Sequence, residues 1–127
     1  MRSLVAILVL LPAAALAETP MTGPEFADHM TGKTLTFSAN GQPYGAEFYA
    51  PSQRVIWSFL DGECIQGEWY AEGRAICFVY DGDPEPKCWE VYKEDSGIRA
   101  EFLNDPDTTI LYEVEEAKPL ICDNMGS

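Results

Sequence analysis

From Lys33 onward, apolar and polar residues alternate with a period of two in eight short runs, and this confines the chain to an antiparallel sheet. Leu35 and Phe37 alternate with Thr34, Thr36 and Ser38; Tyr44, Ala46 and Phe48 with Gly45, Glu47 and Tyr49; Val55, Trp57 and Phe59 with Arg54 and Ser58. The pattern continues through Ile65, Gly67 and Trp69, Ile76, Phe78 and Tyr80, Trp89 and Val91, Ile98, Ala100 and Phe102, and Ile110, Tyr112 and Val114. Turn signals separate the runs: Asn40-Gly41, Pro51-Ser52, Asp61-Gly62, Glu72-Gly73, Asp81 to Pro86, Ser96-Gly97 and Asn104 to Asp107. Asn-Gly and Asp-Gly accept the positive φ of tight hairpins. No gap leaves room for a crossover helix, so sequential strands pair antiparallel in an up-and-down meander. Eight strands laid flat would expose long edges. The expected fold is therefore mainly β, a meander closing into a small barrel, with a flattened β-sandwich as the alternative.

Two features precede the meander. Thr22 and Glu25 fit a capping box, Pro24 suits the first turn and Gly32 a terminator, so a short helix is expected from Gly23 to Thr31, with Phe26 and Met30 on its apolar side. Ahead of it, a basic Met1-Arg2-Ser3, an apolar Leu4 to Leu11 and the small-x-small Ala15-Leu16-Ala17 read as a signal peptide over 1–17, cut before Glu18. The apolar run falls short of the roughly 20 residues that span a bilayer, so no membrane insertion is expected. The residue immediately after the cut is Glu18, not a cysteine that could take a lipid. Residues 18–127 then form a single exported domain, periplasmic or secreted, large enough for one core.

Arg2 leaves with the leader, so the remaining segment carries 7 basic and 21 acidic side chains, a net charge of −14. That charge repels nucleic acid and anionic membrane and attracts cations or a basic protein. An acidic surface serving only solubility is the plainer account.

Cys64, Cys77, Cys88 and Cys122 would meet an oxidising compartment, where two disulfides are the default. No two cysteines lie closer than 11 positions, which fits neither a zinc ribbon nor a redox C-x-x-C. If Glu72-Gly73 is a two-residue turn, Glu68 faces Cys77 and Cys64 lies roughly 13 Å farther along, beyond disulfide reach. Cys77 and Cys88, on adjacent strands with the same parity, then pair, and Cys64 pairs with Cys122 by elimination. The three connectivities remain formally open at this level.

The run Gly62-x-Cys64-x-x-Gly67-x-Trp69, followed by Ile76-Cys77-Phe78-x-Tyr80 and Cys88-Trp89, resembles a pattern of small exported bacterial proteins of unknown function, over roughly Lys33 to Val91. That resemblance implies a framework of turn glycines, tryptophans and cysteines and carries no catalytic residue. Helix plus eight-strand meander also resembles the lipocalin or calycin barrel, a likeness of fold that does not fix function.

Candidate chemistry is sparse. His29 is the only histidine and has no nucleophile and carboxylate arranged beside it, so it reads as a surface or capping residue. Asp81, Asp83, Glu85, Asp105, Asp107, Glu113 and Glu115 fall in turns or on the outward parity, where a carboxylate is solvated rather than tuned for catalysis. Asp81, Asp83 and Glu85 alternate in a way that suits calcium, without the loop of an EF-hand. The expectation is a non-enzymatic protein with no metal or cofactor.

The aromatic residues are more informative. Trp57, Trp69 and Trp89, with Phe37, Phe48, Phe59, Phe78, Tyr80, Phe102 and Tyr112, share the inward parity, enough bulk to fill an eight-stranded barrel and leave only a shallow aromatic mouth. Tyr49, Tyr70 and Tyr92 have the opposite parity and are expected at the surface, where tyrosine suits binding. These three tyrosines and three tryptophans are the candidate binding residues. The leading expectation is an exported binding module that holds or inhibits a basic protein. The alternatives are a calycin-like carrier of a small apolar or aromatic ligand and a structural envelope protein, with the oligomeric state open.

Overall fold

The computed structural model describes residues 1–11, 18–105 and 109–125. The expected cleavage site Ala15-Leu16-Ala17 and the turn residue Asp107 lie outside the described residues. Residues 1–11 are exposed and without regular structure, and among the described residues no helix is long and apolar enough to cross a membrane.

One helix, α1 (Gly23–Met30), leads into eight strands: β1 (Thr34–Ala39), β2 (Gln42–Ala50), β3 (Arg54–Ser58), β4 (Ile65–Glu72), β5 (Ala75–Tyr80), β6 (Asp83–Glu94), β7 (Gly97–Phe102) and β8 (Ile110–Glu113). Each pairs antiparallel with the next, and β8 returns to β1 through Phe37 opposite Glu113 and Ser38 opposite Tyr112. The sheet is a closed barrel, which removes its edges and excludes the sandwich.

The helix begins where its capping box places it. The Thr22 N–H donates to Glu25 Oε1 at 3.1 Å, and the Glu25 N–H donates to Thr22 Oγ1 at 3.3 Å. Its buried face, Phe26 and Met30, stoppers one end of the barrel. The Phe26 ring meets Trp69 edge-on at 4.9 Å, Tyr49 at 5.7 Å and Phe78 at 6.2 Å.

Two irregularities alter the expected pattern. On β2, Phe37 faces Gly45 but Ser38 faces Pro43, so Tyr44 is an extra residue and the strand bulges there. The bulge resets the alternation: Gly45, Glu47 and Tyr49 face the lumen, and Phe48 does not. On β6, Phe78 faces Lys87 and Tyr80 faces Asp83, so Pro84 and Pro86 occupy an irregular stretch inside the strand rather than the long loop expected from Asp81 to Pro86. The turn there is only Asp81-Gly82, with Gly82 at φ 83°. β8 also departs, for Leu111 is buried while Ile110 and Tyr112 point outward. Its phase is set by Leu111 lying opposite Ala100 of β7.

The β4–β5 turn is Gly73-Arg74, one residue later than expected, so Tyr70 rather than Glu68 faces Cys77. The cysteines still pair as the sequence suggests. Cys77 and Cys88 oppose one another across β5 and β6 and are joined, and Cys64 is joined to Cys122, 58 residues away. Around the second bond the C-terminal tail is tied to the wall. Asn124 accepts from the Cys64 N–H at 2.8 Å and donates to the Cys64 carbonyl at 3.0 Å, and the Asp123 N–H donates to the Gly62 carbonyl at 2.7 Å. The Lys118 N–H donates to Thr36 Oγ1 at 2.7 Å, bringing the tail to the outward residue Thr36, which is buried with its neighbours Ala46 and Ser58.

Loop-closure entropy makes the two disulfides unequal. Removing Cys64–Cys122 as a double serine variant is expected to cost about 4 kcal/mol, and removing Cys77–Cys88 about 3 kcal/mol. Urea unfolding of the two variants checks the order, and equal losses would assign the tail no special role.

Candidate ligand-binding cavity

Inside the barrel is a cavity of about 300 Å³. Phe26 of α1 closes its floor, and its opposite end reaches solvent between Phe59, Ile65, Asp81 and Asp83. Phe59 is 55% exposed although it lines the cavity, which marks it as a mouth residue.

The interior was expected to be filled, and it is not, because several inward positions carry little or no side chain. Gly45 faces the lumen so that the Trp57 indole can lie against its backbone; a Cβ there would sit 2.2 Å from Trp57 Cζ2. Gly67 makes the same room for Tyr80, whose Cδ1 would be 2.8 Å from an added Cβ. Drawn against the wall, these rings vacate the centre. Ala100 contributes a third small wall residue.

On the mouth side of β1 to β3, Tyr44, Trp57 and Phe59 form a mutual cluster, with centroids 5.3–5.7 Å apart, and Phe37 stacks on Trp57 at 6.5 Å. Trp89 and Phe102, 4.7 Å apart on β6 and β7, form a second wall patch.

The polar feature of this lumen is Glu47, only 3% exposed. Leu35 and Trp57 flank it on the neighbouring strands. The Tyr80 hydroxyl reaches from β5 and donates to Glu47 Oε2 at 2.5 Å, and the Tyr49 phenol, two residues along the same strand, also acts on the carboxyl. Burial pushes the Glu47 carboxyl up to about 7, with the two phenol donors holding it lower than burial alone would. The phenols of Tyr49 and Tyr80 are in turn driven well up, by burial first and then by the adjacent carboxylate.

Charges at the mouth are mixed but mainly acidic. Lys87 Nζ lies 3.0 Å from Asp83 Oδ2 and 3.8 Å from Glu85 Oε2, so a lysine supplies the cation that the alternating carboxylates suggested for calcium. Asp81 also lines the opening. Among the described residues, no group of three or more His, Cys, Asp or Glu is placed to hold a metal ion.

The six candidate binding residues do not form one site. Trp57, Trp89 and Tyr49 line the lumen, Tyr49 contrary to its expected outward parity because of the β2 bulge. Trp69 lies beneath them, packed on Phe26. Tyr70 is outward and 37% exposed, as expected. Tyr92 is outward but buried at 8% exposure, because the Arg99 guanidinium sits over its ring at 4.6 Å and is itself held by Glu18 and Glu94. Glu113 is half-buried and accepts from the Ile98 N–H at 3.2 Å rather than standing free in solvent. His29 is half-buried at the end of α1, outside the cavity lining.

Glu47 was not singled out in the sequence, where it alternates with Ala46 and Phe48 as an outward residue. Gly45 was the available signal, since an interior strand glycine marks a bulge or a close approach. Compared with protein-family models, curated proteins and solved structures, the chain matches none.

Glu47 gives stability a specific pH dependence. Its folded value of about 7 lies above the ordinary 4.5, so its contribution is complete below about pH 4.5 and is lost as the pH rises through about 7. The loss is on the order of 3 kcal/mol at 1.36 kcal/mol per unit. Glu47→Gln removes this decline, so the variant gains on the parent between pH 4.5 and 8 in thermal unfolding. Parallel profiles for parent and variant would mean that Glu47 ionises freely.

Proposed function

We propose that this protein is an extracytoplasmic, non-enzymatic binding protein that holds a small, largely apolar ligand inside its barrel. The observation that carries this reading is the 300 Å³ lumen, stoppered by α1 at one end, open at the other and walled by aromatic rings. Such a volume sits at the lower end of small-molecule sites, and a few placed polar groups amid mainly apolar walls are their usual composition. Two disulfides suit an oxidising compartment outside the cytoplasm, consistent with a leader over 1–17 and a periplasmic or secreted location. Among the described lining residues there is no histidine, serine or cysteine, so the lumen offers no side-chain nucleophile paired with an imidazole base.

The acidic exterior supports a second reading, capture of a basic protein, which salt would weaken. Of the three tyrosines expected to serve it, Tyr70 alone stands clear of the core, and the lumen has no part in it.

Titration with an apolar fluorophore at low and high salt separates the two. Retained affinity at high salt, with a loss of at least about tenfold in Ala100→Phe, is the expected result, because a phenyl group at that wall position occupies the lumen; tenfold corresponds to about 1.4 kcal/mol. Fluorophore binding that the substitution leaves untouched would place it outside the barrel and sink the carrier reading.

A further inference from the structure

Taking the lumen as a ligand site, the chemistry at its polar point specifies what the ligand carries. Glu47 is enclosed, yet no cation pairs with it among the described residues; its recorded polar partners are two phenol hydroxyls, Tyr80 and Tyr49. An ionised carboxylate offers about four acceptor positions and no donor, so at least two remain after the tyrosines. Both fixed neighbours are donors, an arrangement that favours the carboxylate over the acid.

What is missing is a positive charge. A buried carboxylate without one is costly, and a ligand that brings it converts that cost into affinity. Trp57, directly opposite Glu47 on β3, and Tyr44 beside it supply aromatic surface of the kind that attracts cations. Asp81 and Asp83 at the mouth, and the chain's excess of acidic residues, bias arrival the same way, while Lys87 is occupied by Asp83 and Glu85.

We propose that the barrel binds a protonated amine borne on a compact apolar or aromatic body, with the Glu47 carboxylate as its buried counter-ion and the Tyr80 and Tyr49 hydroxyls orienting that carboxylate. This deepens the small-ligand reading and rests on it.

The groups that face Glu47 or the path to it are Tyr44 and Tyr49 on its own strand, Tyr80 on β5, and Asp81, Asp83 and Lys87 at the mouth, with Glu113 of β8 acting on Tyr49. Tyr49, Tyr80 and Lys87 are shifted up and Asp83 down, all away from neutrality. His29, lowered by partial burial, stands on α1 outside the lining. An alkylamine, like a lysine, stays protonated through this range. The ionised fraction of Glu47 rises about thirtyfold from about pH 5.5 to about pH 8, and amine affinity is expected to rise with it.

The test is calorimetric titration of the oxidised protein with 2-phenylethylamine and with 2-phenylethanol, its neutral near-isostere, at both pH values. The expected result is an amine affinity at least tenfold above that of the alcohol at about pH 8, with that ratio shrinking toward pH 5.5. In Glu47→Gln the amine should lose tenfold or more while the alcohol stays within about threefold. Equal binding of the two probes, or an amine preference that survives Glu47→Gln, overturns the counter-ion while leaving the carrier reading in place. Binding of an apolar fluorophore but of neither probe does the same. Failure of all three to bind removes the carrier reading and this inference with it. Should Glu47→Gln not fold, the amine-to-alcohol ratio of the parent at the two pH values decides alone, and a constant ratio is the refuting outcome.

Discussion

The seam between β1 and β8 is the constraint on which the molecule depends. The recorded register there is only two residue pairs, the shortest pairing in the ring, yet it converts an eight-stranded meander into a tube and creates the interior. β8 is also the shortest strand and brings little area of its own. The chain beyond it completes the closure: the Val114 N–H extends the pairing to the Thr36 carbonyl at 2.9 Å, Lys118 reaches the Thr36 hydroxyl, and Cys122 is covalently fixed to Cys64 on the opposite flank. The tail is therefore a strap across β1 to β3, and the disulfide that looked in sequence like a leftover pairing secures the weakest join. The other disulfide joins opposed residues within a single hairpin, across the register shift from its tight turn.

A tube of eight strands is narrow enough to fill completely, and its contents decide whether it becomes a core or a vessel. Here the large rings number enough to fill it, but Gly45 and Gly67 let two of them lie flat against backbone. The hollow that remains holds a carboxylate in surroundings where charge is expensive. Tyr80 crosses from β5 over the width of two intervening strands to meet it, so the polar contact braces opposite walls as well as satisfying Glu47. An apolar residue at that position would be the simpler choice for a core. On the proposed reading, the enclosed acid serves the ligand that enters from the mouth.

Strand number, strand order, the capped helix and both disulfides were legible in the sequence because each rests on local rules: a period of two, glycine at positive φ, a Thr-x-x-Glu box, and the reach of a disulfide. The phase of β2 was not, since aromatic residues occupy both parities and the bulge at Tyr44 swaps them midway. β8 failed for a related reason. Ile110 and Tyr112 outnumber Leu111, but Leu111 is the residue that fits against the small Ala100, and that fit is visible only across strands. Ala46 and Thr36 read as lumen and surface from their own strands, yet they oppose one another on the outer face and both are buried, Thr36 under a tail more than 70 residues away in sequence. Tyr92 is covered by an arginine that the register alone brings opposite it. In each case the deciding contact lies on another strand or on the tail, outside the strand's own pattern, and the candidate site inherited the error, because Glu47 belongs to the misphased strand.

The placement of the three indoles has an optical consequence. Trp57 and Trp89 border the hollow on different walls, whereas Trp69 is sealed in the closed end against the helix. Two emitters thus sense whatever water or solute occupies the interior, and the third reports on a dry, fixed environment. The native chain carries a matched pair of gauge and internal reference, so a change of contents registers as a shift of part of its emission spectrum without any dye attached.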